Sequence, residues 1–67
     1  MSNVETQNEY RARRVAWAVK LFWEEGRYLS RNTINHFLNF RKNDLLACSP
    51  YIREPEVREA VMSLIDE

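Results

Sequence analysis

Arg41, Lys42 and Asn43 stand in a row just after Asn39 and Phe40, and side chains of these types suit contact with nucleic acid. Arginine and lysine neutralise phosphates. In the major groove arginine also pairs bidentately with guanine, and asparagine with adenine. Arg41, Lys42 and Asn43 therefore form a candidate DNA-contacting set.

Other chemistry finds little footing. One histidine and one cysteine make no metal-ligand set, and Cys48 has no partner for an internal disulfide. His36 falls on the polar side of its helix beside Asn32 and Asn39. Cys48 falls on an apolar side and reads as a small core residue. Glu24-Glu25 is an acidic pair with no acid, base or metal ligand near it in the pattern. Tyr28 and Tyr51 bracket the candidate set and could stack on bases, although packing at the core or its rim is the commoner use of tyrosine. No nucleophile–base pair, glycine-rich phosphate loop or cofactor motif occurs. The expectation is a binding protein, not an enzyme, with no cofactor, metal or small-molecule substrate.

The chain has 67 residues, enough for one small domain, and equal numbers of basic and acidic residues. Zero net charge argues against strong, indiscriminate nucleic-acid binding. The distribution is more telling. Residues 11–43 hold eight basic residues against Glu24 and Glu25, whereas residues 44–67 hold Arg53 and Arg58 against six acids. Either the middle of the chain meets phosphates, or solvated helix faces merely segregate by sign. No apolar run approaches the ~20 residues of a membrane span, and the polar start lacks the apolar stretch of a signal peptide. Together with the lone cysteine, this sets the expectation of a cytoplasmic protein that binds no membrane.

The elements that must position the candidate set are helical. Residues 1–9 are polar and aperiodic, which predicts a disordered arm before a single helical domain over 10–67. Val15, Ala18, Val19 and Phe22 recur at i, i+3, i+4 and i+7 in a helix over 10–25, with Ala12 and Trp23 flanking that face. Gly26 is a natural stop. A second helix over 31–38 has Ser30 as N-cap, Leu29 stapled onto Ile34, and Asn39 as a left-handed end. A short third helix over 43–48 is closed by Ser49-Pro50, because the residue before proline is driven from helical geometry. Pro55 suits the first turn of a fourth helix over 55–65, with Glu54 beside its N-terminus and a stripe of Val57, Ala60, Val61 and Leu64. Strand patterns are absent. The fold class is all-α, a small three- to four-helix bundle containing a helix-turn-helix.

Ile34, Leu38, Phe40, Leu45 and Cys48 occupy the apolar positions of a helix-turn-helix, and Asn39 takes the place usually held by its turn glycine. With the amphipathic helix before it, this stretch resembles the N-terminal DNA-binding part of tetracycline-repressor-like regulators. It is also similar to segments of small phage, plasmid and transposon accessory proteins. The resemblance covers roughly residues 11–50. It departs from the pattern at Asn35, where a small alanine lets the helices approach, and at Leu46 and Ala47, where groove-facing polar residues are commoner. It implies that Arg41, Lys42 and Asn43 lead the recognition helix, and that Arg31 and Asn32 meet phosphates. The expectation it sets is a sequence-specific DNA-binding protein, a regulator or an accessory factor in recombination or replication, of the kind that mobile elements encode.

Trp17 and Leu21 lie off the main apolar face of the first helix, among Arg13, Lys20 and Glu24. Either the last helix covers them, or they dock a second subunit or a protein partner. A homodimer fits a helix-turn-helix that reads one half-site per copy. The competing function class is a small adaptor or inhibitor that uses Trp17 and Leu21 to bind another protein and not DNA.

Overall fold

The computed structural model describes residues 5–66. They form α1 (Gln7–Glu25), α2 (Arg31–Leu38), α3 (Asp44–Cys48), a 3-10 helix (Ser49–Tyr51) and α4 (Pro55–Ile65). No strand occurs among the described residues, and the all-α bundle expected from periodicity is the architecture found.

The helix ends follow from identifiable residues. Thr6 and Glu9 make a capping box: the Glu9 N–H donates to Thr6 Oγ1 at 3.2 Å, and the Thr6 N–H donates to Glu9 Oε1 at 3.0 Å. Hydrogen bonds from the Thr6 backbone and then its hydroxyl hold the Glu9 carboxyl below its ordinary range. Helix α1 accordingly starts at Gln7 instead of Tyr10, and residues 7–9 of the expected arm are helical. Residues 1–4 of that arm lie outside the described residues. Gly26 ends α1 with φ 67°, and no atom stands within 4 Å of where a Cβ would lie, so the dihedral alone asks for glycine. Ser30 caps α2 by accepting the Thr33 N–H at 3.1 Å. Asn39 closes α2 in the left-handed region, φ 59° and ψ 42°, as expected of the turn position.

Two expectations need correction. Ser49 keeps helical dihedrals (φ −56°, ψ −38°) despite preceding Pro50, and the chain runs on as a 3-10 helix. The pre-proline penalty is offset because Ser49 is buried, its hydroxyl donates to the Leu46 carbonyl at 3.0 Å, and the turn delivers Ile52 into the core. Trp23 was expected beside the apolar face of α1, yet it is exposed. At 100° per residue it drifts outward, and Ala16 is buried on that helix instead.

The core is one cluster. Val15, Ala18, Val19 and Phe22 of α1 meet Ile34 and Leu38 of α2, Leu45 and Cys48 of α3, Ile52, and Val57, Val61 and Leu64 of α4. Leu29 and Phe40 pack against it from the connections. Burial holds the Cys48 thiol up at about 11, so it stays protonated and inert at neutral pH. Among the described residues, no helix is long and apolar enough to cross a membrane.

Candidate nucleic-acid interface

The turn between α2 and α3 is built by local hydrogen bonds. The Phe40 N–H donates to the Asn35 carbonyl at 2.8 Å and the Asn39 N–H to that of His36 at 3.2 Å, closing α2. Phe40, pulled inward by the core, swings the next residues out to solvent. The Arg41 N–H then donates to Asp44 Oδ2 at 2.8 Å, and the Asp44 N–H donates to the Arg41 carbonyl at 3.1 Å. This reciprocal pair fixes the start of α3. It also shifts one expectation. Arg41 and Lys42 lie in the turn, and Asn43 is the N-cap of α3, so none of the three is inside the helix.

Two shallow grooves meet at Asn39 and Phe40. One is lined by Arg31, Asn32 and Lys42, together with Asn35 and His36. The other is lined by Arg41 with Arg11 and Arg14 of α1, beside Tyr10 and Asp44. The structure thus brings four of the five candidate residues to one surface, while exposed Asn43 lines neither groove. Leu46 and Ala47 are exposed on α3. Because α3 is only Asp44–Cys48, little more than one turn, its outward face is small.

The electrostatics of this surface are one-sided. Asp44 is its one carboxylate, and that group is already engaged by the Arg41 N–H and by Arg11 at 3.9 Å. Arg14, Arg31, Arg41 and Lys42 have no carboxylate at salt-bridge distance among the described residues. Arg14 instead lies over aromatic rings, 5.7 Å from the Phe40 centroid and 5.9 Å from that of Tyr10. Arg31 and Asn32 open the first turn of α2, where N–H groups have no intrahelical carbonyl to reach, and the Ser30 hydroxyl takes only that of Thr33.

Arg11 and Arg14 were missed as site residues. They sit on the first helix at i, i+3, and only the fold carries them to the turn. Phe37 was missed too. It stacks on Trp17 at 5.7 Å and meets Phe22 edge-on at 5.1 Å, with the Arg27 guanidinium 5.4 Å from its centroid. Trp17 is 56 % exposed, so α4 does not cover it, and it shares with Leu21 a groove on α1 lined also by Lys20, Glu24 and Glu54. Tyr28 and Tyr51 are exposed as well, against the expectation of rim or core packing; Tyr28 is 78 % exposed.

Among the described residues no group of acidic, histidine or cysteine side chains is placed to hold a metal ion. In comparisons with known proteins, the chain matches no family model, no curated sequence and no solved structure.

Proposed function

We propose that the protein binds double-stranded DNA through the surface formed by α2, the following turn and α3. The observation that carries this reading is the run of cations along the two joined grooves, Arg31, Lys42, Arg41 and Arg14, which have no carboxylate at salt-bridge distance among the described residues. Phosphates supply the missing counter-charge, and their neutralisation releases condensed counterions. Arg31, Asn32 and Lys42 grip one strand's backbone, and Arg41 with Arg14 the other side of the groove. Asn43 and the exposed Leu46 and Ala47 then meet base edges, the asparagine pairing with adenine and the apolar side chains touching thymine methyl groups. In biological terms this is a regulator or an accessory factor in recombination or replication.

The test is binding to duplex fragments across a salt series. Affinity that falls steeply with salt in the parent chain, with a slope made shallower by about 2 in the Arg41→Ala/Lys42→Ala variant, supports the proposal. Salt-independent or undetectable binding would sink it. The exposed Trp17 favours the second reading, a protein-binding adaptor. Loss of a protein partner on Trp17→Ala, with no DNA binding by the parent, would establish that reading instead.

A further inference from the structure

Given the DNA-binding reading, on which this step rests, we infer that His36 is a proton-dependent phosphate contact of the same surface. DNA binding takes up a proton on its imidazole, and affinity rises as pH falls through the histidine range. His36 follows Asn32 by one turn of α2, and residues four apart share a helix face. It is exposed and lines the groove that also holds Arg31 and Lys42. Its ring nitrogens make no hydrogen bond or ion pair among the described residues. Both are therefore open to a ligand, and both are donors once the ring is protonated.

The charges around His36 give the direction of the effect. Arg31 lines the groove from α2 and Lys42 from the turn, and no carboxylate lines it. Helices α1 and α4 also pack on α2, yet neither contributes a residue to this groove. Asp44, in the adjoining groove beyond Phe40, is engaged by the Arg41 N–H at 2.8 Å and by Arg11 at 3.9 Å. A phosphate held between Arg31 and Lys42 is then the anion that a charged imidazole meets, and an opposite charge close by favours the protonated form. Linkage makes the effect reciprocal: if the phosphate favours the proton, the proton favours the phosphate by the same factor. Histidine is the side chain whose charge ordinarily changes between pH 5 and 8, and His36 is the chain's one histidine. The Cys48 thiol, held up at about 11, stays protonated throughout that range.

The test is duplex affinity of the full chain at about pH 8 and about pH 5.5, for the parent, His36→Gln and His36→Arg. Far-UV circular dichroism at both pH values confirms that each chain is folded. A phosphate that raises the proton affinity of the imidazole about tenfold makes the parent gain about sevenfold more on acidification than His36→Gln, which keeps every other titrating group. His36→Arg is charged at both pH values and should gain no more than His36→Gln. The salt dependence is a second readout. In the parent its slope should be steeper by about 0.9 at the lower pH, the mark of one more phosphate contact, and in His36→Gln it should exceed its value at the higher pH by less. Equal gains on acidification in the parent and His36→Gln overturn the inference, as do slopes that respond to pH alike in the two chains. Under either result the DNA-binding reading stands, provided that the parent binds duplex with a steep salt slope at about pH 8. A parent that binds duplex at neither pH overturns both.

Discussion

The basic side chains at the α2–α3 turn and those beside Glu5, Glu25 and Glu54 share a chemistry and differ in their surroundings. Arg13 is clamped by Glu5, Lys20 is paired with Glu54, and Arg27 lies 3.5 Å from Glu25. Arg14, Arg31, Arg41 and Lys42 have no such partner among the described residues. A net charge of zero therefore conceals two populations of cation. Those already neutralised at home have little to gain from a phosphate, because taking one up means releasing or crowding a carboxylate. The unpaired ones exchange only water and counterions. For the proposed DNA binding, what counts is where the pairs are, not how many charges there are.

The largest effect should come from emptying the turn. With about 0.9 of salt slope per lost contact, Arg41→Ala/Lys42→Ala should weaken binding roughly 50-fold near 0.1 M salt. Thermal stability should barely move, since both residues are exposed. An affinity within a factor of about two of the parent would erase the contrast between the regions.

Next is the residue that aims the turn. Asn39 holds φ 59°, where alanine has no local side-chain hydrogen bond to compensate its Cβ crowding, so Asn39→Ala should cost about 1 kcal/mol. Asn39→Gly should be neutral or slightly stabilising at the same position. Thermal unfolding separates the two. Equal melting temperatures for both variants would mean that the left-handed geometry is not what holds the turn.

How much of this was legible in the chain depends on whether the signal was local. Ser30, Gly26, Asn39 and Pro55 announce helix ends through their own dihedral or hydrogen-bonding needs, and each does so where expected. Thr6-Gln7-Asn8-Glu9 also spells a capping box, yet it lies in a polar stretch without apolar rhythm, where periodicity gives no warning. Ile52 is an isolated apolar residue between Tyr51 and Arg53. Its burial is decided by the 3-10 turn, which no pattern of spacing encodes. At the site, Arg41 and Lys42 were readable because they follow a turn residue. Arg11 and Arg14 join them only through packing of α1 against the later helices, and Phe37 meets Trp17 the same way.

A smaller effect lies beneath the basic surface. Asn35 stands where a helix-turn-helix prefers alanine, and its Oδ1 is buried without a hydrogen-bond partner. An unsatisfied buried acceptor carries a desolvation penalty of about 1–3 kcal/mol, part of which the lost packing would offset. Asn35→Ala should therefore raise stability by up to about 1 kcal/mol, or several degrees in melting temperature for a chain of this size. Since no cation is touched, the DNA salt slope should stay as in the parent. A lower melting temperature would mean that the amide is satisfied, for example by water, and belongs to the groove floor.

The smallest effect is the sharpest statement of the contrast. Arg53 is as positive as Arg41 and also exposed, yet it lies in the field of Glu5 and Glu9, whose carboxyls are held below their ordinary range first by hydrogen bonds from Arg13 and from Thr6 and, least, by the charge of Arg53. Arg53→Ala should leave the salt slope unchanged. Arg27→Ala should do the same, although its guanidinium lies 4.1 Å from the Phe22 centroid and its loss should cost up to about 1 kcal/mol of stability. If removing any arginine lowered the slope equally, binding would follow overall charge, and the turn would have no special claim. A slope that falls only for Arg31, Arg41, Lys42 or Arg14 would instead locate the phosphates along the two joined grooves.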